Sequence, residues 1–333
     1  MEKKRKVIFD CDVGTDDAVA LTAMLFSKEF EVVGITTVHG NHPVEFTTEN
    51  TLRLLEFLGK DIPVYKGCNE SMTRGLLGEN NAVRMEQLVK VDENGNNVYI
   101  HEREISFLPK AKTKAMDKHA CSFIVEYIRS SKEKVTVVAV GPLTNIGIAL
   151  RMAPEIAENI EEIYIMGGAL YVGNRTPVAE ANFYDDPHAA QIVLRSGIKT
   201  IICPLEPSIA AKYGPAEFAA LVEANPKVGG FLARLNSEMI ERLKFLGILG
   251  QEADSTGIWD WTAVAPLIDP SVVVDIRRET VDVELTRGFS EGMLVFDRRK
   301  FDQLSEEKER NYVIYEINPE RLISLLEELI REK

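Results

Sequence analysis

The side chains best suited to chemistry come early in the chain. In VIFDCDVGTDDAVAL an apolar, β-branched run ends in a loop holding Asp10, Asp12, Asp16 and Asp17, so four carboxylates fall within eight residues. Two like charges about 5 Å apart repel by roughly 3 kcal/mol at an effective dielectric near 20, so such a cluster calls for a cation, a proton or a helix N-terminus. Asp16 and Asp17 stand where a helix should begin, and its dipole offsets part of the repulsion. Carboxylate oxygens suit a hard cation, Ca²⁺ or Mg²⁺, better than Zn²⁺. The bland alternative is a helix cap with solvated charges. Asp10 directly follows the strand and is expected to brace the loop, and Gly14 to permit a sharp turn.

Further candidates follow other apolar runs. EVVGITTVHGN ends in a small-residue turn that either aims the Asn41 amide into a crevice or merely closes the strand as an Asx turn. KVTVVAVGPLTN places the Val140 carbonyl, a good Ca²⁺ ligand, at a strand end. In IYIMGGALYVGNRTPVAEANFYDDPHAA, Met166 ends a strand and reads most simply as core. A polar loop with Asn174, Glu180 and Asn182 follows; amides and a carboxylate there suit vicinal hydroxyls, which both donate and accept, or simply a hydrogen-bonded surface loop. Asp186 and Pro187 mark a helix start. GIWDWTAVAPLID offers Asp260 between Trp259 and Trp261, as an N-cap or beside an aromatic wall for a flat ligand. Of the five histidines, His188 reads as a solvated helix residue, and His42, His101 and His119 as loop residues without an obvious partner.

The elements that position these residues alternate. KVIF, EVVGITTV, KVTVVAV, EIYIMGGAL and IKTIICPL are short apolar runs ending near Gly, Pro, Asn or Asp. Between them Asp17 to Lys28, Thr48 to Leu58, His119 to Ser130 and Asp186 to Arg195 carry helical periodicity. This predicts α/β architecture: a mostly parallel, Rossmann-like sheet flanked by helices, with ligands beyond the strands' carboxyl ends. The polar segment 71–114 breaks the rhythm and reads as a lid or insertion, with a hairpin or exposed loop at DENGNN. SVVVDIRRETVDVEL and SEGMLVFDRR predict late strands before a helix from Asn318 to Glu332. With no repeat or linker in sight, residues 1–333 are expected to form one domain.

Composition narrows the function. Across 333 residues, 45% are hydrophobic and 27% charged, and the net charge of −13 argues against a basic nucleic-acid footprint. No stretch reaches membrane-spanning length, and the basic N-terminus lacks a signal-peptide core. The four cysteines lie far apart in sequence with no CxxC pair, reading as buried thiols of a soluble, cytoplasmic protein.

Taken together, the DxDxxxDD loop, the HGN turn, GPLTN, MGG followed by GN and AEAN, the late Asp260 and the C-terminal VDVELTRGFSEGMLVFDRR resemble the inosine-uridine nucleoside hydrolase family, in order and over nearly the whole chain. The resemblance implies that fold and a nucleoside N-ribohydrolase, which uses water and a tightly bound Ca²⁺ to split a ribonucleoside into ribose and free base. It implies Asp12, Asp17, Asp260 and the Val140 carbonyl as metal ligands, with Asp12 also the general base. Asp16, Asn41 and Asn182 would grip the 2′- and 3′-hydroxyls, Asn174 and Glu180 the 5′-hydroxyl, and Met166 would pack under the sugar. The best-known pattern has a histidine before the last metal aspartate; Trp259 stands there instead, resembling the purine-preferring branch, where stacking eases base protonation. His101 and His119 remain candidates for proton donation to the base. Family likeness also implies a homodimer or homotetramer. Two alternatives are a haloacid-dehalogenase-like phosphohydrolase, whose first aspartate attacks covalently with Mg²⁺, and a non-catalytic nucleoside-binding protein.

Overall fold

The computed structural model describes residues 3–77, 89–299 and 310–331. Its central sheet has eight strands: β1 Arg5–Cys11, β2 Phe30–Thr37, β3 Val64–Lys66, β4 Val135–Ala139, β5 Ile160–Met166, β6 Thr200–Cys203, β7 Val273–Arg278 and β8 Asn311–Ile317. Their spatial order is β7-β8-β6-β5-β4-β1-β2-β3. Every neighbouring pair is parallel except β7 against β8. The apolar runs are nearly continuous because both faces of the sheet are covered. Along β1, Val7, Phe9 and Cys11 join one core, while Ile8 joins the other with Val135, Val137 and Ala139.

The helices are α1 Thr15–Phe26, α2 Val44–Leu58, α3 Ala120–Ser130, α4 Thr144–Met152, α5 Ala181–Asp185, α6 Pro187–Leu194, α7 Leu205–Ala210, α8 Pro215–Ala224, α9 Pro226–Leu246, α10 Trp259–Ile268 and α11 Pro319–Ile330. On one side α1 packs against α9, α10 and α11; on the other α4 packs against α3 and α6. Caps set several starts as the sequence suggests: Asp186 accepts from the Ala189 amide at 3.1 Å with Pro187 opening α6, and Asn318 accepts from the Arg321 amide at 3.1 Å. Helix α2 begins at Val44, after Pro43, rather than near Thr48, and the Thr47 and Thr48 hydroxyls find partners inside it by donating back to the Val44 carbonyl at 3.2 and 2.6 Å.

Chain order gives the sheet a switch point. From β1 the chain runs outward to β2 and β3, then crosses back so that β4 pairs on the other side of β1. The carboxyl ends of β1 and β4 part there, which is where doubly wound sheets hold ligands.

Within the polar excursion, Lys90–Val91 pairs antiparallel with Asn97–Val98. The Asp92 carboxylate accepts the amides of Asn94 and Asn96 at 2.9 and 2.8 Å, and Gly95 takes a φ of 83°, as a tight DENGNN turn requires. Residues 78–88 of that excursion lie outside the described residues. A second hairpin pairs Val281–Val283 with Leu294–Phe296. The cysteines are not all isolated: the end of β3 and the start of α3 bring Cys68 Sγ within 3.7 Å of Cys121 Sγ. Among the described residues no helix is long and apolar enough to cross a membrane.

Candidate active site

The loop after β1 is folded around its own carboxylates. Asp17, in the first turn of α1, reaches back to accept from the amides of Asp12 at 3.1 Å and Gly14 at 2.9 Å, a capping arrangement that ties the loop to the helix N-terminus. Gly14 sits at the bend before α1 with a φ of −106°, so the turn needs no left-handed conformation, and its smallness also gives space. A Cβ there would sit 2.6 Å from His101 Nδ1 and 2.8 Å from Asn41 Nδ2. Asp12 is cradled similarly, since side chains at Gly40 or Gly141 would strike its carboxylate at 2.1 and 2.7 Å. The Asn41 amide donates to Asp12 Oδ2 at 2.6 Å, and Asn41 Nδ2 donates to Asp17 Oδ2 at 3.2 Å. Asn41 therefore stitches the HGN turn onto the acidic loop.

Asp16, Asp17 and Asp260 each direct one carboxylate oxygen into a common point, these atoms lying within 4.8 Å of one another. Burial pushes Asp16 and Asp17 up to about 6, with the Asp16 charge adding to the rise at Asp17. Burial first, then the neighbouring carboxylates, hold Asp12 and Asp260 well above the usual carboxylate range. Asp16 Oδ1 is buried with no hydrogen-bond partner among the described residues. Such a cluster is adapted to a hard divalent cation, which would satisfy the orphaned oxygen and hold the acids ionised. That triad contains Asp16, assigned from the resemblance to ribose, and not Asp12, assigned to metal; Asp12 Oδ2 accepts the Asn41 backbone amide. Asp10 stands behind the loop, accepting from Thr36 Oγ1 at 2.5 Å and Asn145 Nδ2 at 2.8 Å, with burial pushing it up to about 7.

The cluster opens into a cavity of about 380 Å³ at the switch point. Asp12, Asp16, Asp260, Asn41 and Val140 form its floor, and Met166, Asn174, Glu180 and Asn182 one wall. Asp17 lies behind the lining, within the triad. Asn182 Nδ2 donates to the carbonyls of Val140 at 2.9 Å and Met166 at 3.1 Å, fastening that wall to β4 and β5. Glu180 also caps α5: it accepts from the amides of Gly168, Asn182 and Phe183 at 2.9, 2.7 and 3.2 Å, and burial pushes it up to about 7. Trp259 lines the cavity, its Nε1 buried without a partner among the described residues. Trp261 is core, donating to Tyr213 Oη at 3.1 Å and the Leu322 carbonyl at 3.2 Å.

Several lining residues carry no sequence signal. Tyr99 and Ile100 come from the excursion, Leu243 from the end of α9 with Ile248 just beyond it, and Arg175 from the polar loop. Leu243 obeys ordinary core periodicity, and only the adjacency of Arg175 to Asn174 hinted at its place. His101 has a partner after all: its Nδ1 accepts from the Thr15 amide at 3.1 Å, 3.6 Å from Asp16 Oδ1. The ring proton is thereby left on Nε2. Burial, with Arg242 and Arg175 nearby, lowers His101 to about 4 against the pull of Asp17. His42 pairs with the His101 carbonyl at 2.9 Å. His188 is half-buried against Thr73 Oγ1 at 3.0 Å. His119 is exposed, caps α3 through the Cys121 amide and does not line the cavity, which removes it as a proton donor.

Fold and site define an α/β enzyme with a cation-adapted acidic pocket at the switch point of a doubly wound sheet. The chain belongs to the inosine-uridine preferring nucleoside hydrolase family, matching it over residues 7–324, and is a nucleoside N-ribohydrolase. It is 35% identical to an inosine-uridine preferring nucleoside hydrolase from Leishmania major over 89% of this chain and 88% of that protein. It is 32% identical to a pyrimidine-specific ribonucleoside hydrolase from Salmonella gallinarum over 98% of each. Among solved structures, a purine-preferring ribonucleoside hydrolase from Gardnerella vaginalis superposes with a TM-score of 0.83 at 28% identity, covering 98% of both chains. Membership sets aside the phosphohydrolase reading, which would need an accessible first aspartate where Asp10 is fully buried, and the non-catalytic one.

Proposed function

We propose that the enzyme is calcium-dependent and prefers purine ribonucleosides. The cavity's lining carries this reading: carboxylates on its floor, polar side chains on one wall, and the apolar Trp259, Ile100, Leu243 and Ile248 in the same lining, which we take as the slot for the base. A bound Ca²⁺, held by Asp12, Asp17, Asp260 and the Val140 carbonyl, would offset the acidic charge and make a neighbouring water easier to deprotonate. Asp12, held by the Asn41 amide, takes the proton from the attacking water. Asp16, Asn41 and Asn182 orient the 2′- and 3′-hydroxyls, Asn174 and Glu180 the 5′-hydroxyl, and Met166 supports the ring. As the glycosidic bond opens, positive charge grows on the ribose, and the surrounding carboxylates stabilise it. At neutral pH His101 is uncharged, so it serves the departing base as an Nε2–H donor rather than as an imidazolium acid. The exposed Val274 and Ile276 on edge strand β7 support self-association as a homodimer or homotetramer, and four free cysteines suit a reducing, cytoplasmic setting.

A purine offers the slot a second ring, and aromatic contacts add about 0.5–1.5 kcal/mol beyond area burial. Trp259→Ala should therefore lower kcat/KM for inosine and guanosine about tenfold while touching uridine and cytidine less. Ribose release from each nucleoside measures this; wild-type release led by pyrimidines would sink the purine preference.

Arg242 on α9 fastens the excursion over the slot: its Nε donates to the Ile100 carbonyl at 3.0 Å, and Nη1 pairs with Glu102 at 3.2 Å. Arg242→Ala is expected to raise KM several-fold with kcat nearly kept, because Tyr99 and Ile100 would lose their anchor while the acidic floor is untouched. An unchanged KM would show that these residues hold their place without it.

A further inference from the structure

The cysteine pair is unused by hydrolysis, yet it touches the frame of the site. Cys68 is half-buried and Cys121 buried, their sulfurs 3.7 Å apart. Cys11 and Cys203 are fully enclosed elsewhere. Both peptide groups of Cys68 are engaged: its amide donates to Asn145 Oδ1 at 2.9 Å, and its carbonyl accepts from the His39 amide at 3.0 Å. His39 opens the HGN turn that carries Asn41. Asn145 in turn donates to Asp10 Oδ2 at 2.8 Å and to the Thr37 carbonyl at 3.0 Å, and Cys121 Sγ lies 3.8 Å from its Oδ1. There is little slack, since a Cβ on Gly67 would sit 2.2 Å from Asn145 Oδ1. One amide side chain thus joins the Cys68 backbone and the Cys121 thiol to the strand ends behind the acidic loop.

We propose that Cys68 and Cys121 are an oxidative modification site, closed into a disulfide by a peroxide and reopened by a dithiol, and that closure slows the enzyme. A disulfide needs its sulfurs about 2.0 Å apart, so they must approach from 3.7 Å, and Cys68 cannot move without pulling on the His39 and Asn145 contacts. Cys68, the accessible partner, attacks first: its thiolate takes one peroxide oxygen, the O–O bond breaks, and water leaves behind a sulfenic acid. The Cys121 sulfur then attacks Cys68 Sγ, the sulfenic hydroxyl departs as water with the Cys121 proton, and the S–S bond forms. Two thiols are oxidised to one disulfide and one peroxide is reduced to two waters. Contact with Cys68 and burial hold the Cys121 thiol far above its usual range, consistent with its acting second.

The test uses the full-length enzyme with hydrogen peroxide, reading peptide mass, free thiols and ribose release together. Expected are loss of two thiols per chain, a cross-linked peptide pair containing residues 68 and 121, and a several-fold fall in kcat/KM that dithiothreitol reverses. Cys68→Ser, and independently Cys121→Ala, should keep their rate in peroxide. Absence of the cross-link overturns the site, and a cross-link with an unchanged rate overturns the coupling. The rate effect rests on the ribose-orienting role proposed for Asn41. If untreated enzyme releases no ribose, that reading fails on its own, and the mass measurement still decides the disulfide.

Discussion

Asp12→Asn is expected to lower kcat/KM by about 10³-fold, within the 10²–10⁴ that a positioned base contributes, while the thermal midpoint, measured with saturating Ca²⁺, stays near that of wild type. Asparagine has nearly the same shape, so an oxygen can still accept the Asn41 amide, now at 2.6 Å, and the glycine cradle at Gly40 and Gly141 still encloses it. What is lost is basicity and one negative charge facing the cation and the ribose. Asp12→Ala should be at least as inactive and less stable, because it leaves the Asn41 amide without its acceptor. Steady-state ribose release and a melting curve on each variant decide the matter. A loss smaller than about tenfold for Asp12→Asn would assign the base elsewhere.

The second large effect is expected on removing the cation. Exhaustive chelation should abolish ribose release and lower the melting temperature, and Ca²⁺ should restore both at lower concentration than Mg²⁺, since a site built from carboxylates and a carbonyl suits the larger, less geometrically demanding ion. The stability loss should be small at pH 5 and larger at pH 8. Asp16 and Asp17 titrate near 6 in the cation-free fold, above the roughly 3.9 of an unfolded aspartate. A raised folded pKa contributes stability that is intact below the unfolded value and is lost as pH rises through the folded value, where buried carboxylates must ionise beside one another. A bound cation reverses that preference. Melting temperature against pH, with and without Ca²⁺, measures the gap; a gap that does not widen with pH would contradict a cation held by this cluster. Asp16→Asn adds a discrimination. If Asp16 binds only ribose, the variant keeps its Ca²⁺-dependent melting shift and raises KM. If it is a ligand, in keeping with its place in the triad with Asp17 and Asp260, the shift weakens.

Local features of the site were legible in the sequence because they depend on neighbours along the chain. The β1 run, the acidic loop and the start of α1 are contiguous, so the strand end, the helix dipole and the crowding of Asp12, Asp16 and Asp17 follow from spacing alone. The same holds for Asp186 with Pro187, and for the strand ends that present Asn41 and Val140. Register then joins them: Asp10 pairs with Ala139 across β1 and β4, and the Val140 amide donates to the Asp10 carbonyl at 3.0 Å.

Other assignments needed the packed molecule. Trp259 and Trp261 are two residues apart and chemically identical, so only α10's orientation decides that one indole lines the cavity and the other donates into the core. His101 reads as a loop residue without an obvious partner until the excursion folds back and the missing side chain of Gly14 lets its ring reach the Thr15 amide. Cys68 and Cys121 meet only because β3 lies beside the start of α3. Sequence by itself determined which residues carry charge and which strand ends present them, since those depend on short-range sterics and periodicity. Tertiary structure decided which side chains share the cavity, because convergence of distant segments is set by the order of strands in the sheet and by the packing of both its faces.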